Sequence, residues 1–200
     1  MKRQQALWTG RFQPPTIAHL ATVTTILEKW DRLTIIVSVE MPAPSHMHRE
    51  WADYILTSSR TSYGPGKNPF SGNEILDMWT AGVERAGLSS VVNVATRGRP
   101  EFDSKFIEQY PADDFDFVLI DLGESSAGID QLHQNVLPRL HGRPVFSVQP
   151  TFKLHNSEIR RKVYDEGHGW EEFLPSGVYD VFQRIEGSER VQKVHKFTKT

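Results

Sequence analysis

The feature that most constrains the fold is an alternation of short apolar runs with longer amphipathic runs. LTIIVSV at 33–39 is continuous and rich in β-branched residues, as expected for a strand that is covered on both faces. Similar short runs stand at 5–9, 91–95, 115–120 and 144–148. Strands that alternate with helices are joined by right-handed crossovers. The sequence therefore predicts an α/β fold, a Rossmann-like parallel sheet with helices on both faces and a helical C-terminal segment.

The amphipathic runs carry recognisable helix signals. Apolar residues recur at spacings of three and four from Ile17 to Trp30, which predicts a helix with one buried stripe. Ser71 and Glu74 have the spacing of a capping box. Further helices are predicted at 48–58, after Asn156 or Ser157 with Ile159 and Val163 facing inward, and after Pro175 and Ser176.

The chain has 200 residues, a net charge of −2 and no cysteine. That length suits one domain, with a core at 1–150, a phosphate-binding motif and C-terminal helices at 151–187, and a basic tail at 188–200 that we expect to fray. The charge argues against a general nucleic-acid or membrane-surface binder. Without cysteine, disulfides and thiolate catalysis are excluded. No apolar run suggests a signal peptide or a membrane span, so we expect a cytoplasmic protein.

The stretch GRFQPPTIAHLA, at 10–21, concentrates unusual residues at a strand-to-helix junction. His19 falls in the first helical turn, close to free backbone N–H groups that favour a phosphate. Arg11 can reach the same space, and Gly10 is predicted to let a ligand approach the backbone. A lone histidine in a turn is more often an ordinary polar residue. A functional interpretation of this junction therefore needs a second strand-to-helix junction beside it.

The second junction is LHNSEIRRKV, at 154–163. Asn156 and Ser157 offer caps at the helix start, and Arg160 shares their face while Arg161 points elsewhere. Two helix starts suited to anions, at opposite ends of one chain, predict a polyphosphate held between them.

GRFQPPTIAH and NSEIRRK resemble the two signature motifs of the nucleotidyltransferase superfamily that carries a (T/H)xGH motif. The similarity is greatest to nicotinamide-mononucleotide adenylyltransferases of the archaeal type, and it extends to NPFSGNEILDM at 68–78 and to the C-terminal stretch. It covers roughly half of the chain.

The resemblance implies a set of site residues. His19, Thr16 and Arg160 would contact the triphosphate as catalytic groups. The nucleotide-binding residues would be Gly10, Arg11, Phe12, Gln13, Asn156, Ser157 and Ile159. An acceptor phosphate would attack the α-phosphorus in line, and pyrophosphate would leave with Mg²⁺, which is bound mainly through the phosphates and not by the protein.

The acceptor side departs from the family's pattern. The SGN segment of the archaeal enzymes is replaced by IDLGESSAG at 120–128, and their stacking tryptophan is absent from DSKFIEQ. Lys105, Phe106, Arg97 and Arg99 are the predicted acceptor-binding residues. This set is more cationic than a nicotinamide pocket requires, so we expect a small phosphonate or phosphate to be preferred.

Three functions stay open at this stage. One is adenylyl transfer from ATP to nicotinamide mononucleotide, and another is cytidylyl transfer from CTP to a small phosphonate. The third is a non-catalytic nucleotide-binding regulatory module. The expected partners are a nucleoside triphosphate and a phosphorylated small molecule, with no nucleic acid and no membrane, while homo-oligomers are left open.

Overall fold

The computed structural model describes residues 3–39, 68–98, 104–121, 145–154 and 156–198. Within these ranges, five strands form one sheet: β1 (Arg3–Gly10), β2 (Trp30–Ser38), β3 (Val92–Arg97), β4 (Phe115–Ile120) and β5 (Val145–Val148). Every pairing is parallel, and the strand order is β3-β2-β1-β4-β5. The predicted Rossmann-like parallel sheet is confirmed.

The strand order reverses at β1, which pairs with β2 on one side and with β4 on the other. In open parallel sheets, a crevice forms at such a reversal, outside the carboxyl ends of the strands. The loop that follows β1 therefore begins where this fold binds ligands.

The helices in the same ranges are α1 (Ile17–Leu27), α2 (Gly72–Arg85), α3 (Ser104–Gln109), α4 (Asn156–Asp165), α5 (Ser176–Arg184) and α6 (Gly187–Thr198). The capping box that opens α2 is confirmed: Ser71 Oγ accepts from the Glu74 N–H, and Glu74 Oε2 accepts from the Ser71 N–H. Ile159 and Val163 of α4 are buried as predicted.

Side chains of β1 and β2 alternate between two apolar clusters, one on each face of the sheet. Trp8 and Val37 belong to the larger cluster, which α2, α4, α5 and α6 complete. Leu7 and Ile36 belong to the smaller one. Burial on both faces explains why 33–39 reads as an uninterrupted apolar run.

Two predicted boundaries are wrong. Trp30 does not end α1 but begins β2, where it is buried and its Nε1 donates to Asp116 Oδ2 at 2.8 Å. The helix ends three residues earlier because the chain must turn at the amino edge of the sheet to enter β2. The tail does not fray over 187–198: it forms α6, since Val191 is buried in the main core and Arg190 pairs with Glu74 at 2.5 Å.

The predicted helix at 48–58 lies outside the described residues. Within the ranges that the structure describes, no helix is long and apolar enough to cross a membrane.

Candidate functional site

The loop after β1 is shaped by the ring of Phe12. Phe12 adopts a φ of +48°, a region that costs energy for a bulky residue and that clusters at functional sites. Its ring lies so close to Gly10 that a Cβ at position 10 would stand 2.6 Å from Phe12 Cζ. The prediction for Gly10 is therefore corrected: the space over its backbone holds the Phe12 ring and not a ligand.

Thr16 and His19 form a reciprocal cap at the start of α1. Thr16 Oγ1 accepts from the His19 backbone N–H at 3.3 Å, and His19 Nδ1 accepts from the Thr16 backbone N–H at 3.0 Å. The backbone N–H can only donate, so Nδ1 must be the unprotonated ring nitrogen. The proton of a neutral His19 ring is thus on Nε2, which is left as a hydrogen-bond donor.

Three aromatic rings surround the His19 imidazole. Its centroid lies 5.2 Å from that of Phe12, 5.8 Å from that of Trp8 and 6.2 Å from that of Trp79. Burial among these rings lowers the pKa of His19 to about 4, because the charged form loses its hydration. At neutral pH the site therefore contains a neutral imidazole.

Thr16 itself is fully buried, and its side chain is used on His19. The predicted contact of Thr16 with a phosphate stays a prediction. In the structure its hydroxyl bonds to His19, and we expect it to position that residue.

Gln13 connects the loop to the segment before α2. Its Nε2 donates to the Phe70 carbonyl at 3.0 Å, and its Oε1 accepts from the Phe70 N–H at 3.1 Å. Next to this pair, Arg11 Nη1 donates to Asn68 Oδ1 at 3.4 Å. Gln13 and Phe12 are both buried, and their predicted contacts with the nucleotide stay a prediction.

Arg160 brings the second junction to the first. Its Nη1 donates to the Gln13 carbonyl at 2.8 Å. Burial lowers the pKa of Arg160, and the positive charge of Arg11 lowers it further. The charge of Arg11 is thus close enough to act on Arg160, and no carboxylate pairs with Arg160 within the described ranges. Such an arrangement favours an anion with several oxygens.

The other residues of the second motif divide into two groups. Ser157 is exposed in the first turn of α4, and the Oδ1 of Asn156 is buried without a hydrogen-bond partner in the described part of the chain. Both stand at a helix start that favours anions. The side chain of Ile159 packs in the core, and its predicted contact with the nucleotide stays a prediction.

The structure describes three of the four predicted acceptor residues. Phe106 is completely buried against Tyr110 and Phe117, which corrects the prediction that its ring faces an acceptor. Lys105 is exposed on α3. Arg97 ends β3 and donates through Nε to Gln109 Oε1 at 2.9 Å. Arg99 lies outside the described residues.

Two features of the candidate site were not predicted from the sequence. Phe70 offers only backbone groups to Gln13, and backbone groups carry no sequence signal. Trp79 follows the apolar periodicity of α2, so its place beside His19 was indistinguishable from ordinary core packing. Its Nε1 is buried without a partner among the described residues. Those residues also contain no group of three His, Asp or Glu side chains suited to a metal ion.

Curated relatives match nearly the whole chain, although no family model does. The chain is 24% identical over 200 residues to a nicotinamide-nucleotide adenylyltransferase of Sulfurisphaera tokodaii, covering 95% of this chain and 96% of the relative. It is 27% identical over 197 residues to the enzyme of that name from Pyrococcus furiosus, covering 96% and 88%. The resemblance to the archaeal adenylyltransferases, first noted in two motifs, is confirmed along the chain.

Solved structures support the fold. A bifunctional NMN adenylyltransferase/ADP ribose pyrophosphatase from Francisella tularensis superposes with a TM-score of 0.66 at 15% identity, covering all of this chain and 54% of that one. Its complex with AMP and a manganese ion gives 0.64 at 17% identity, covering 98% and 52%. The present chain thus spans about half the length of that protein.

Proposed function

We propose that this protein is a nucleotidyltransferase that transfers the adenylyl group of ATP to nicotinamide mononucleotide and releases pyrophosphate. One observation carries the proposal: Arg160 in the first turns of α4 donates to the Gln13 carbonyl at 2.8 Å, so the second motif meets the loop that leads into α1. A triphosphate would supply negative charge to Arg160, which pairs with no carboxylate within the described ranges. The names of the relatives supply the base and the acceptor.

The chemistry requires positioning and charge stabilisation. An oxygen of the acceptor phosphate attacks the α-phosphorus in line as the bond from that phosphorus to the β-phosphate oxygen breaks. Nε2–H of His19 donates to the α-phosphoryl oxygens, where negative charge develops. Arg160 and Arg11 hold the leaving pyrophosphate. No general base is needed, since the attacking oxygen is already ionised at neutral pH.

A divalent cation fits this site through the substrate. The described residues offer arginine, histidine and hydroxyl groups around the phosphates and few carboxylates, so Mg²⁺ would arrive bound to the triphosphate oxygens. When bound, it neutralises charge on the β- and γ-phosphates and so improves pyrophosphate as a leaving group. Manganese in the Francisella tularensis complex is consistent with the use of a divalent ion.

Cytidylyl transfer to a small phosphonate is the second candidate. Arg97 at the carboxyl end of β3 and the exposed Lys105 favour an anionic acceptor. The argument for this candidate rests on those cationic side chains, and none of the relatives reported above carries a cytidylyltransferase name.

The experiment is pyrophosphate release from ATP and from CTP, each tested with nicotinamide mononucleotide, nicotinate mononucleotide and a small alkylphosphonate. Our proposal expects the highest kcat/KM for ATP with nicotinamide mononucleotide. A preference for CTP with the phosphonate would replace it with the second candidate. Tight binding of ATP with no pyrophosphate from any pair would indicate a regulatory module.

A further inference from the structure

We propose that Gln13 is a positioning residue, which clamps the segment Asn68–Phe70 to the first-motif loop and so fixes the guanidinium of Arg160 for the triphosphate. The inference rests on the proposed function and deepens it. It gives Gln13 a role that does not require contact with substrate.

The side chain of Gln13 is matched to Phe70 at both ends. One amide donor and the amide oxygen meet the Phe70 carbonyl and N–H at 3.0 and 3.1 Å. A primary amide carries a donor nitrogen and an acceptor oxygen on the same carbon, so it can pair with the carbonyl and the N–H of one residue at once. Gln13 is 8% exposed, so water could not easily replace either of these hydrogen bonds if it were lost.

The main chain of the same residue holds Arg160. Once the amide is paired with Phe70, the Gln13 carbonyl has a fixed direction, and Arg160 Nη1 donates to it at 2.8 Å. In the described part of the chain this is the one hydrogen bond recorded for the Arg160 side chain. Without this bond, the Arg160 guanidinium would have no hydrogen bond within the described ranges to hold it at the first-motif loop.

A second contact ties the same two segments. Arg11 donates to Asn68, two residues before Phe70, across the same separation of 57 residues in sequence. Both arginines of the phosphate site are therefore placed with the help of Asn68–Phe70. The segment in turn is anchored by Ser71, the N-cap residue of α2, which follows Phe70 directly.

The test is Gln13→Met, which keeps the length of the side chain and removes both hydrogen bonds. The matched control is Gln183→Met on the exposed side of α5. We expect the KM for ATP to rise about tenfold, the effect of roughly one hydrogen bond, with kcat changed less than about threefold. Bound phosphates themselves orient Arg160, which is why saturating ATP restores most of the rate.

A binding cycle with Arg160→Met separates positioning from general damage. In calorimetric titrations with ATP, Gln13→Met should weaken binding in the wild-type background and have less than about a twofold effect in the Arg160→Met background. Additive effects would overturn the proposal, as would wild-type affinity in Gln13→Met.

A second variant keeps the test decisive if Gln13→Met does not fold. Gln13→Glu retains the acceptor for the Phe70 N–H and loses the donor, so it should give an affinity between those of wild type and Gln13→Met, with the same dependence on Arg160. An affinity equal to wild type would contradict the clamp. Because ATP binding is measured without turnover, a wild-type protein that binds ATP and releases no pyrophosphate would refute the proposed function alone.

Discussion

Thr16 and His19 fix each other's hydrogen bonds, and this pairing determines what the imidazole contributes. A backbone donor occupies Nδ1, and aromatic rings surround the remainder. His19 therefore offers a neutral N–H donor over the physiological pH range. Arg160 supplies the positive charge that attracts the phosphates, whereas His19 supplies a hydrogen-bond donor.

His19→Ala should lower turnover by about 10²–10³-fold, the usual cost of one donor to developing charge. The affinity for ATP should change much less, because the arginines bind the phosphates in the ground state. Steady-state pyrophosphate release and ATP titration measure the two effects. A mutant with near-normal turnover would remove His19 from the mechanism.

Stability should also depend on His19 as pH falls. Its pKa is about 4 in the folded protein and about 6.5 unfolded, so the unfolded state binds the proton first. The contribution of this group to folding is complete above pH 6.5 and is lost progressively towards pH 4. The free energy of unfolding, measured in urea, should fall more from pH 7.5 to pH 4.5 for wild type than for His19→Gln. Equal falls in the two proteins would contradict the low pKa of His19.

Arg160→Lys should be a poor substitute, because an ammonium group cannot bond to Gln13 and span phosphate oxygens at once. We expect ATP affinity to fall by at least about tenfold. Arg161→Ala is the control, since Arg161 is exposed one position further around α4. If Arg161→Ala weakened ATP binding more than Arg160→Lys, the assignment of the phosphate arginine would be wrong.

At the scale of single elements, the strands and helix starts were predictable and the contacts between them were not. Apolar runs and caps are local, so β4 at 115–120 and the cap at Ser71 follow directly from the sequence. Phe106 was assigned to the wrong environment because six helical residues do not reveal which face meets the sheet. The pairing of Gln13 with Phe70 joins residues 57 apart, and no local pattern encodes it.

The start of α1 gives a prediction at this scale. Thr16→Val keeps the shape of the side chain and removes the N-cap oxygen, at a cost of about 1 kcal/mol in the free energy of unfolding. Turnover should fall as well, since the His19 backbone N–H loses its acceptor and the ring loses the contact of Thr16 Oγ1 with Nδ1, and only the bond from the Thr16 backbone N–H to Nδ1 remains. Thr16→Ser restores the hydroxyl and should recover both. Thermal unfolding and pyrophosphate release provide the measurements, and a normal rate in Thr16→Val would refute the positioning role.

For the molecule as a whole, the C-terminal helices are part of the core. Gly177 of α5 approaches α2 so closely that a Cβ there would stand 2.2 Å from the Ala81 carbonyl oxygen, and α6 buries Val191. The basic composition of the last residues concealed this, because charged side chains on one face of a helix resemble a solvated tail.

Val191→Ala should therefore destabilise the protein by about 2 kcal/mol, as for other truncations of buried aliphatic residues. Gln192→Ala is the matched control, since Gln192 is the exposed neighbour on the same helix. Chemical denaturation measures both. Equal stability of the two variants would show that α6 contributes little to the core.

The bond between Arg160 and Gln13 spans 147 residues of sequence. On the ribosome, the first-motif loop is therefore made long before the arginine that completes the phosphate site has left the exit tunnel. A nascent chain that contains β1 and α1 but not α4 therefore lacks the arginine that bonds to the Gln13 carbonyl. If Arg160 holds the triphosphate as we propose, the chain can bind nucleotide in this way only after α4 has been made.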